Sequence, residues 1–221
     1  MTSGNIILLN GASSAGKTSI LQALQDVLDA PYLNLGIDKF ISTLPAADQE
    51  RPLWDEGLGY TTSAETLDQP HGRGCQLISA MHHTIAATAQ AGHHVIADHL
   101  LIKPSWVREC ARLFADLPVW LVGVRCPLEI LITSHQCTLD QAQAHVAAVH
   151  TPGVYDLEVD TSLLSPLECA LQIKQRLQEG TPPTAMRWLK AWSDPAKHRG
   201  WLRQRASYNS IEGFATRGAT T

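Results

Sequence analysis

"NIILLNGASSAGKTSILQALQDVL", residues 5–28, joins an apolar run to a glycine-bounded loop and then to a helical pattern. Residues 5–10 read as a strand of the fully buried type. Ile20, Leu21, Leu24, Val27 and Leu28 then recur at the spacing that gives a helix one apolar face, which predicts a helix to about Asp29. Between them Gly11-Ala12-Ser13-Ser14-Ala15-Gly16-Lys17-Thr18 fits G-x-x-x-x-G-K-[ST], in the strand–loop–helix setting that this motif needs. Glycine opens backbone angles closed to other residues, so that successive N–H groups converge on phosphate oxygens. The helix N-terminus, including Ser19, adds a positive dipole end. Lys17 is placed to reach the β- and γ-phosphates, and Thr18 to offer its hydroxyl to Mg²⁺. Residues 11–19 are thus the expected nucleotide cradle.

Outward from this stretch, strand patterns recur at 32–37, 93–98, 118–124 and 154–160. Helical patterns fall at about 73–91, 105–115, 128–148 and 165–178. Such alternation predicts an α/β fold of the three-layer P-loop NTPase/kinase type, a parallel sheet with helices on both faces. Right-handed crossovers bring the C-terminal ends of the strands, and so the ligand crevice, to one edge. Residues 45–72 break the rhythm with three prolines (Pro45, Pro52, Pro70) and three glycines (Gly57, Gly59, Gly72), so 46–72 is expected to be an acceptor-side insertion over that edge.

The 221 residues are 44% hydrophobic and 17% charged, as in an ordinary globular protein. Residues 1–180 are expected to form the kinase-like domain and 181–221 a basic C-terminal extension. The extension carries seven Lys/Arg against two acids, which leaves −9 on residues 1–180. Docking of a basic appendage onto an acidic body accounts for that split, and no motif points to nucleic acid. Trp188, Trp192 and Trp201, on two short helical patterns, give the extension apolar surface to pack. No basic leader and no run of membrane-spanning length is visible, so a cytoplasmic protein without a membrane partner is expected. Oligomerisation stays open. Cys75, Cys110, Cys126, Cys137 and Cys169 form no CxxC pair and read as reduced thiols. The pairs His82-His83 and His93-His94 lack metal-ligand spacing.

A phosphate loop alone does not choose among kinases, GTPases and ATP-driven machines. The guanine-reading NKxD of GTPases is missing from the sequence. After the loop come "YLNLGIDKFISTLP" (32–45), "HHVIADHLL" (93–101), "VWLVGVRCPLEIL" (119–131) and "GVYDLEVDTSLLSPLECALQI" (153–173). In this order they resemble the chloramphenicol phosphotransferase-like family of small P-loop kinases, over about residues 5–175. The resemblance implies transfer of the γ-phosphoryl group of ATP, with Mg²⁺, to a hydroxyl of a small molecule. It places the family's acidic residue on Asp38, as base toward the acceptor. The position agrees: Asp38 follows a strand on the ligand edge, where a carboxylate can take the hydroxyl proton. Its alternative is to N-cap the helix beginning "KFISTL". Asp98 ends the "HHVIAD" strand and is the second carboxylate of that edge. It holds Mg²⁺ through water, orients the acceptor, or only bonds Lys17 or the loop backbone. His99 either faces the acceptor or is an ordinary polar residue, and Arg125 either approaches the nucleotide or forms an ion pair at its strand end.

One departure stands out. Family members carry an arginine-rich lid after "VGVRCP", whereas 127–150 here contains no Arg or Lys and is shorter. A lid arginine stabilises charge on the transferring phosphoryl group, so its loss bears on competence. Arg199, Arg203 and Arg205 of the extension are candidate replacements, as is a partner chain. Trp54 and Tyr60, among acids in the insertion, suit a cationic or polyhydroxylated acceptor. The expected function is therefore an O-phosphotransferase acting on a small hydroxylated molecule. A nucleoside or nucleotide-sugar kinase, and a nucleotide-binding protein without transferase activity, are the alternatives.

Overall fold

Six consecutive buried residues, Ile6–Gly11, form β1 at the centre of a five-stranded sheet. The computed structural model describes residues 2–45, 73–135 and 139–192. The other strands are β2 (Tyr32–Asn34), β3 (His94–His99), β4 (Val119–Arg125) and β5 (Leu157–Asp160). Their order is β2-β3-β1-β4-β5, and every pairing is parallel. Both faces of such a sheet are covered, which is why Ile6–Leu9 of β1 is a continuous apolar run with no alternation.

The helices are α1 (Lys17–Val27), α2 (Ile37–Ser42), α3 (Arg73–Gln90), α4 (Pro104–Phe114), α5 (Leu128–His135), α6 (Leu139–Val149), α7 (Pro166–Gln178) and α8 (Ala185–Trp192). α1 packs on α7 in one layer, and α4 packs on both α3 and α8 in the other. The predicted three-layer P-loop architecture is the observed one. None of the described helices is long and apolar enough to cross a membrane.

Three boundaries differ from the sequence reading. The strand expected at 32–37 ends at Asn34, because the Asn34 side-chain oxygen accepts the Gly36 N–H and turns the chain into α2. The strand expected at 154–160 begins only at Leu157. Asp156 ahead of it is engaged elsewhere: one carboxylate oxygen accepts the Leu121 N–H, and the other accepts the N–H groups of Thr184 and Ala185 at the start of α8. The single helix expected at 128–148 is two, α5 and α6.

The described part of the basic extension is docked. Ala185, Met186 and Leu189 of α8 are buried against α4 and β4, and Lys190 pairs with Asp116. The insertion 46–72, with Trp54 and Tyr60, lies outside the described residues. So do Cys137, Trp201 and the arginines at 199, 203 and 205. The remaining four cysteines are free thiols.

Candidate active site

The loop between β1 and α1 has the backbone that its glycines predict. Gly16 stands at φ 84° as the N-cap of α1, and Ser14 is also in the left-handed region at φ 59°. A Cβ at Gly16 would press on Thr161 of the segment after β5, so a side chain here is strained by angle and tight in space. α1 receives no side-chain cap and has no acid in its first turn. Its first N–H groups therefore present an uncompensated positive end to the loop. Thr18 and Ser19 are exposed there, while Lys17 is only 8% exposed.

Lys17 folds back over the loop. Its Nζ donates to the carbonyls of Gly11 at 2.9 Å and Ala12 at 2.6 Å. Burial lowers its pKa, while the nearby carboxylates of Asp98 and then Asp38 pull it upward. Asp98 lies at the end of β3, beside Leu9 in register, and is 6% exposed. Burial raises its pKa, Lys17 lowers it and Asp38 raises it again. The three groups thus sense one another across the ligand edge of the sheet.

Asp98 also has a structural task that the sequence did not show. The N-cap of α2 is Gly36, with no side chain to cap the helix. The Asp98 carboxylate lies against this bare helix start: the Ile37 N–H helps hold its pKa down, and a Cβ at Gly36 would collide with its Oδ1. One strand-end carboxylate thereby sits at the start of the helix that carries the other. Asp38 is not the cap: it sits inside the first turn of α2, exposed, so the capping alternative is corrected. Nor does Lys17 bond Asp98, since its hydrogen bonds go to the loop carbonyls. Arg125 takes the ion-pair alternative, donating to Glu158 through Nε and Nη2 and lying over the Tyr155 ring.

His99 does not face an acceptor. Its Nδ1 accepts the Leu100 N–H at 2.6 Å, and its Nε2 lies 2.6 Å from Nε2 of His82. The Leu100 bond leaves the His99 proton on Nε2, which donates to His82. Nδ1–H of His82 then donates to Glu109, 2.7 Å away. Cys110 brings a third donor atom within 4.8 Å of the two imidazoles, yet both facing lone-pair positions are already occupied by the shared proton. The cluster is a buried hydrogen-bonded chain from β3 through α3 to α4.

That chain makes an acid-stability prediction. The hydrogen bond from His82, with that from Ser79, holds Glu109 down at about 2, and burial keeps His82 and His99 below the ordinary imidazole value. A depressed carboxylate contributes stability that is present above its unfolded value and lost as pH falls through the folded one. The difference in thermal midpoint between wild type and Glu109→Gln is therefore expected to shrink as pH falls from about 4.5 to about 2. A difference that stays constant across that window would show Glu109 is not held in the ionised form by the fold.

Asn10, immediately before Gly11, is buried and was also missed. Its Nδ2 donates to the Val149 carbonyl and to the Tyr155 hydroxyl, and its Oδ1 accepts the Leu101 N–H. His150 completes the group through a bond with Tyr155. Burial, with Arg125 and Lys17 nearby, lowers His150 to about 4, and burial pushes Tyr155 up to about 12. An isolated Asn at the end of an apolar run is the only signal that pointed to it.

Comparison with known proteins places these features. The family model described as chloramphenicol phosphotransferase-like protein matches residues 4–178. A Mycobacterium tuberculosis protein provisionally named O-phosphotransferase is 31% identical over 207 residues, covering 86% of this chain and 89% of that protein. Among solved structures, the M. tuberculosis APS kinase bound to AMPPNP and APS superposes with a TM-score of 0.54 at 16% identity, covering 80% of this chain and 99% of that one. The Deinococcus radiodurans tunicamycin resistance protein gives 0.54 at 16% identity, covering 81% and 98%. At that identity the two structures speak for the fold alone.

Proposed function

The chain belongs to the chloramphenicol phosphotransferase-like family, and we propose that it transfers the γ-phosphoryl group of ATP to a hydroxyl of a small molecule. The observation that carries this reading is the buried Lys17 at an uncapped helix N-terminus, coupled to Asp38 and Asp98 on the same edge. The donor set fits a triphosphate: left-handed Gly16 and Ser14 shape the loop, α1 offers free N–H groups, and one ammonium sits among them. In this reading Lys17 exchanges its bonds to the Gly11 and Ala12 carbonyls for phosphate oxygens. Thr18 would hold Mg²⁺, with Asp98 through a water, and the metal would neutralise charge on the triphosphate.

Asp38 accepts the proton of the acceptor hydroxyl as the new O–P bond forms. The bond between the γ-phosphorus and the bridging oxygen breaks, and ADP leaves with that oxygen. Asp98 positions this base by packing against the start of α2. Arg125 is committed to Glu158, so its turn toward the nucleotide requires that ion pair to open.

A second reading is favoured by one observation. The described lid helices α5 and α6 carry no Arg or Lys, so a protein that binds nucleotide without transferring phosphate is also consistent with the site. Arginines of the extension or of a partner chain would restore the missing charge. The test follows labelled γ-phosphate from ATP against a panel of hydroxylated metabolites and antibiotics. A labelled product made by the wild type and lost in Lys17→Ala supports the transferase; nucleotide binding with no product from any acceptor supports the second reading.

A further inference from the structure

Lys103 is 1% exposed, more deeply buried than Lys17, yet it has no carboxylate partner among the described residues. An ammonium offers three donors. Here one meets the Cys75 sulfur at 3.3 Å, and the cation lies 5.4 Å from the centre of the Trp106 ring. A thiol is a weak acceptor and a ring face only a partial counter-charge, so two N–H groups lack an acceptor among those residues.

The same residue is the N-cap of α4. That helix starts with Pro104, receives no side-chain cap and has no acid in its first turn. The residue that opens α4 thus carries a buried ammonium, and the positive end of the helix has no anion of its own, an arrangement that costs free energy unless something negative joins it. The Ser105 hydroxyl, half-buried in the same turn, is a further donor.

The location is on the ligand edge. The segment from Leu100 to Lys103 leaves β3 directly beyond Asp98, and its Leu101 N–H is tied to Asn10 of the strand that enters the phosphate loop. Cys75 lies in the first turn of α3, the helix against which α2, the carrier of Asp38, packs.

We propose that Lys103 and the N-terminus of α4 bind an oxyanion of the acceptor, so that the substrate is a hydroxylated molecule bearing a carboxylate or a phosphate. The proposal rests on the phosphotransferase reading for the word "acceptor", but the anion site has its own test. Its sign is opposite to the one the acid-rich insertion suggested.

Two measurements decide it. First, wild type and Lys103→Met, both saturated with AMP-PNP to fill the phosphate loop, are melted with added malonate and, separately, with inorganic phosphate. A rise in midpoint for the wild type that is absent in Lys103→Met supports the site. Equal behaviour of the two proteins, including no rise in either, overturns it. Without anion Lys103→Met is expected to melt at or above the wild type, because removing an uncompensated buried charge relieves strain; Lys103→Gln replaces it if the Met variant does not fold. Second, phosphoryl transfer is compared for gluconate, glucose 6-phosphate and glucose, which separates carboxylate, phosphate and neutral acceptors. One anionic arm is expected to exceed glucose by about 10- to 100-fold in kcat/KM, a margin lost in Lys103→Met and partly kept in Lys103→Arg. Product from neutral acceptors only would overturn the site. No product from any acceptor defeats the transferase reading instead, while an anion-dependent midpoint lost in Lys103→Met still upholds the site.

Discussion

Asp38→Asn is expected to lower phosphoryl transfer by about 10²- to 10⁴-fold while nucleotide affinity changes little. Asparagine keeps the size and shape of the side chain in the first turn of α2, so helix and edge stay in place, but it cannot take a proton from the acceptor. Asp38 is exposed and takes no part in capping, so a loss of folding does not stand in for the loss of catalysis. Its charge does pull the Lys17 pKa upward, yet Asp98 is the larger of the two influences and remains. Lys17 therefore keeps a carboxylate to hold its charge, and the loop keeps its hold on phosphate. Direct measurement of nucleotide affinity beside kcat separates the two roles. Turnover like that of the wild type, with unchanged pH dependence, would remove Asp38 from the mechanism.

Much of this arrangement was legible in the sequence because it is local. The loop, the strand before it and the helix after it lie within residues 5–28, and their chemistry depends on near neighbours. β3 and β4 were equally plain, since strands covered on both faces carry long apolar runs. The capping box at the start of α7, Ser165 with Glu168 after Pro166, could likewise be read from spacing.

What was missed is long-range. Asp98 reaches the start of α2 from 62 positions further along the chain than Gly36, against which its carboxylate lies, and no pattern in "LGID" announces a carboxylate supplied there by another strand. His82 and Glu109, 27 residues apart, meet only because α3 and α4 pack together. Lys103, in "LLIKPSW", reads as a surface lysine before a helix. The Pro after it and the three apolar residues before it were the available hints of a buried helix start. His99 takes the second of its two readings for a related reason: its neighbour Asp98 serves the opposite side of the strand, and alternation sends the two side chains apart.

Asn10→Ala is expected to destabilise the fold by about 3–5 kcal/mol, the sum of a few buried groups left without partners at about 1–3 kcal/mol each. Asn10 is fully buried at the end of β1, opposite His99 on one side and Gly123 on the other. Its 2.7 Å bond to the Val149 carbonyl holds the end of α6, its 2.9 Å bond holds Tyr155 before β5, and the 2.8 Å bond from Leu101 holds the connection into α4. Three segments of the ligand edge are thus fixed by one side chain next to the phosphate loop. Tyr155 keeps a partner in His150 after the change, but the Leu101 N–H and the Val149 carbonyl belong to residues at 1% and 0% exposure, where water does not replace the lost bonds. Asn10→Leu separates this from a packing defect: it fills the space but restores no hydrogen bond, so it should be nearly as damaging as the alanine. Urea unfolding of the three proteins measures the effect. A leucine variant within about 1 kcal/mol of the wild type would mean that the site is held by packing, and that the polar network contributes little beyond a single ordinary hydrogen bond.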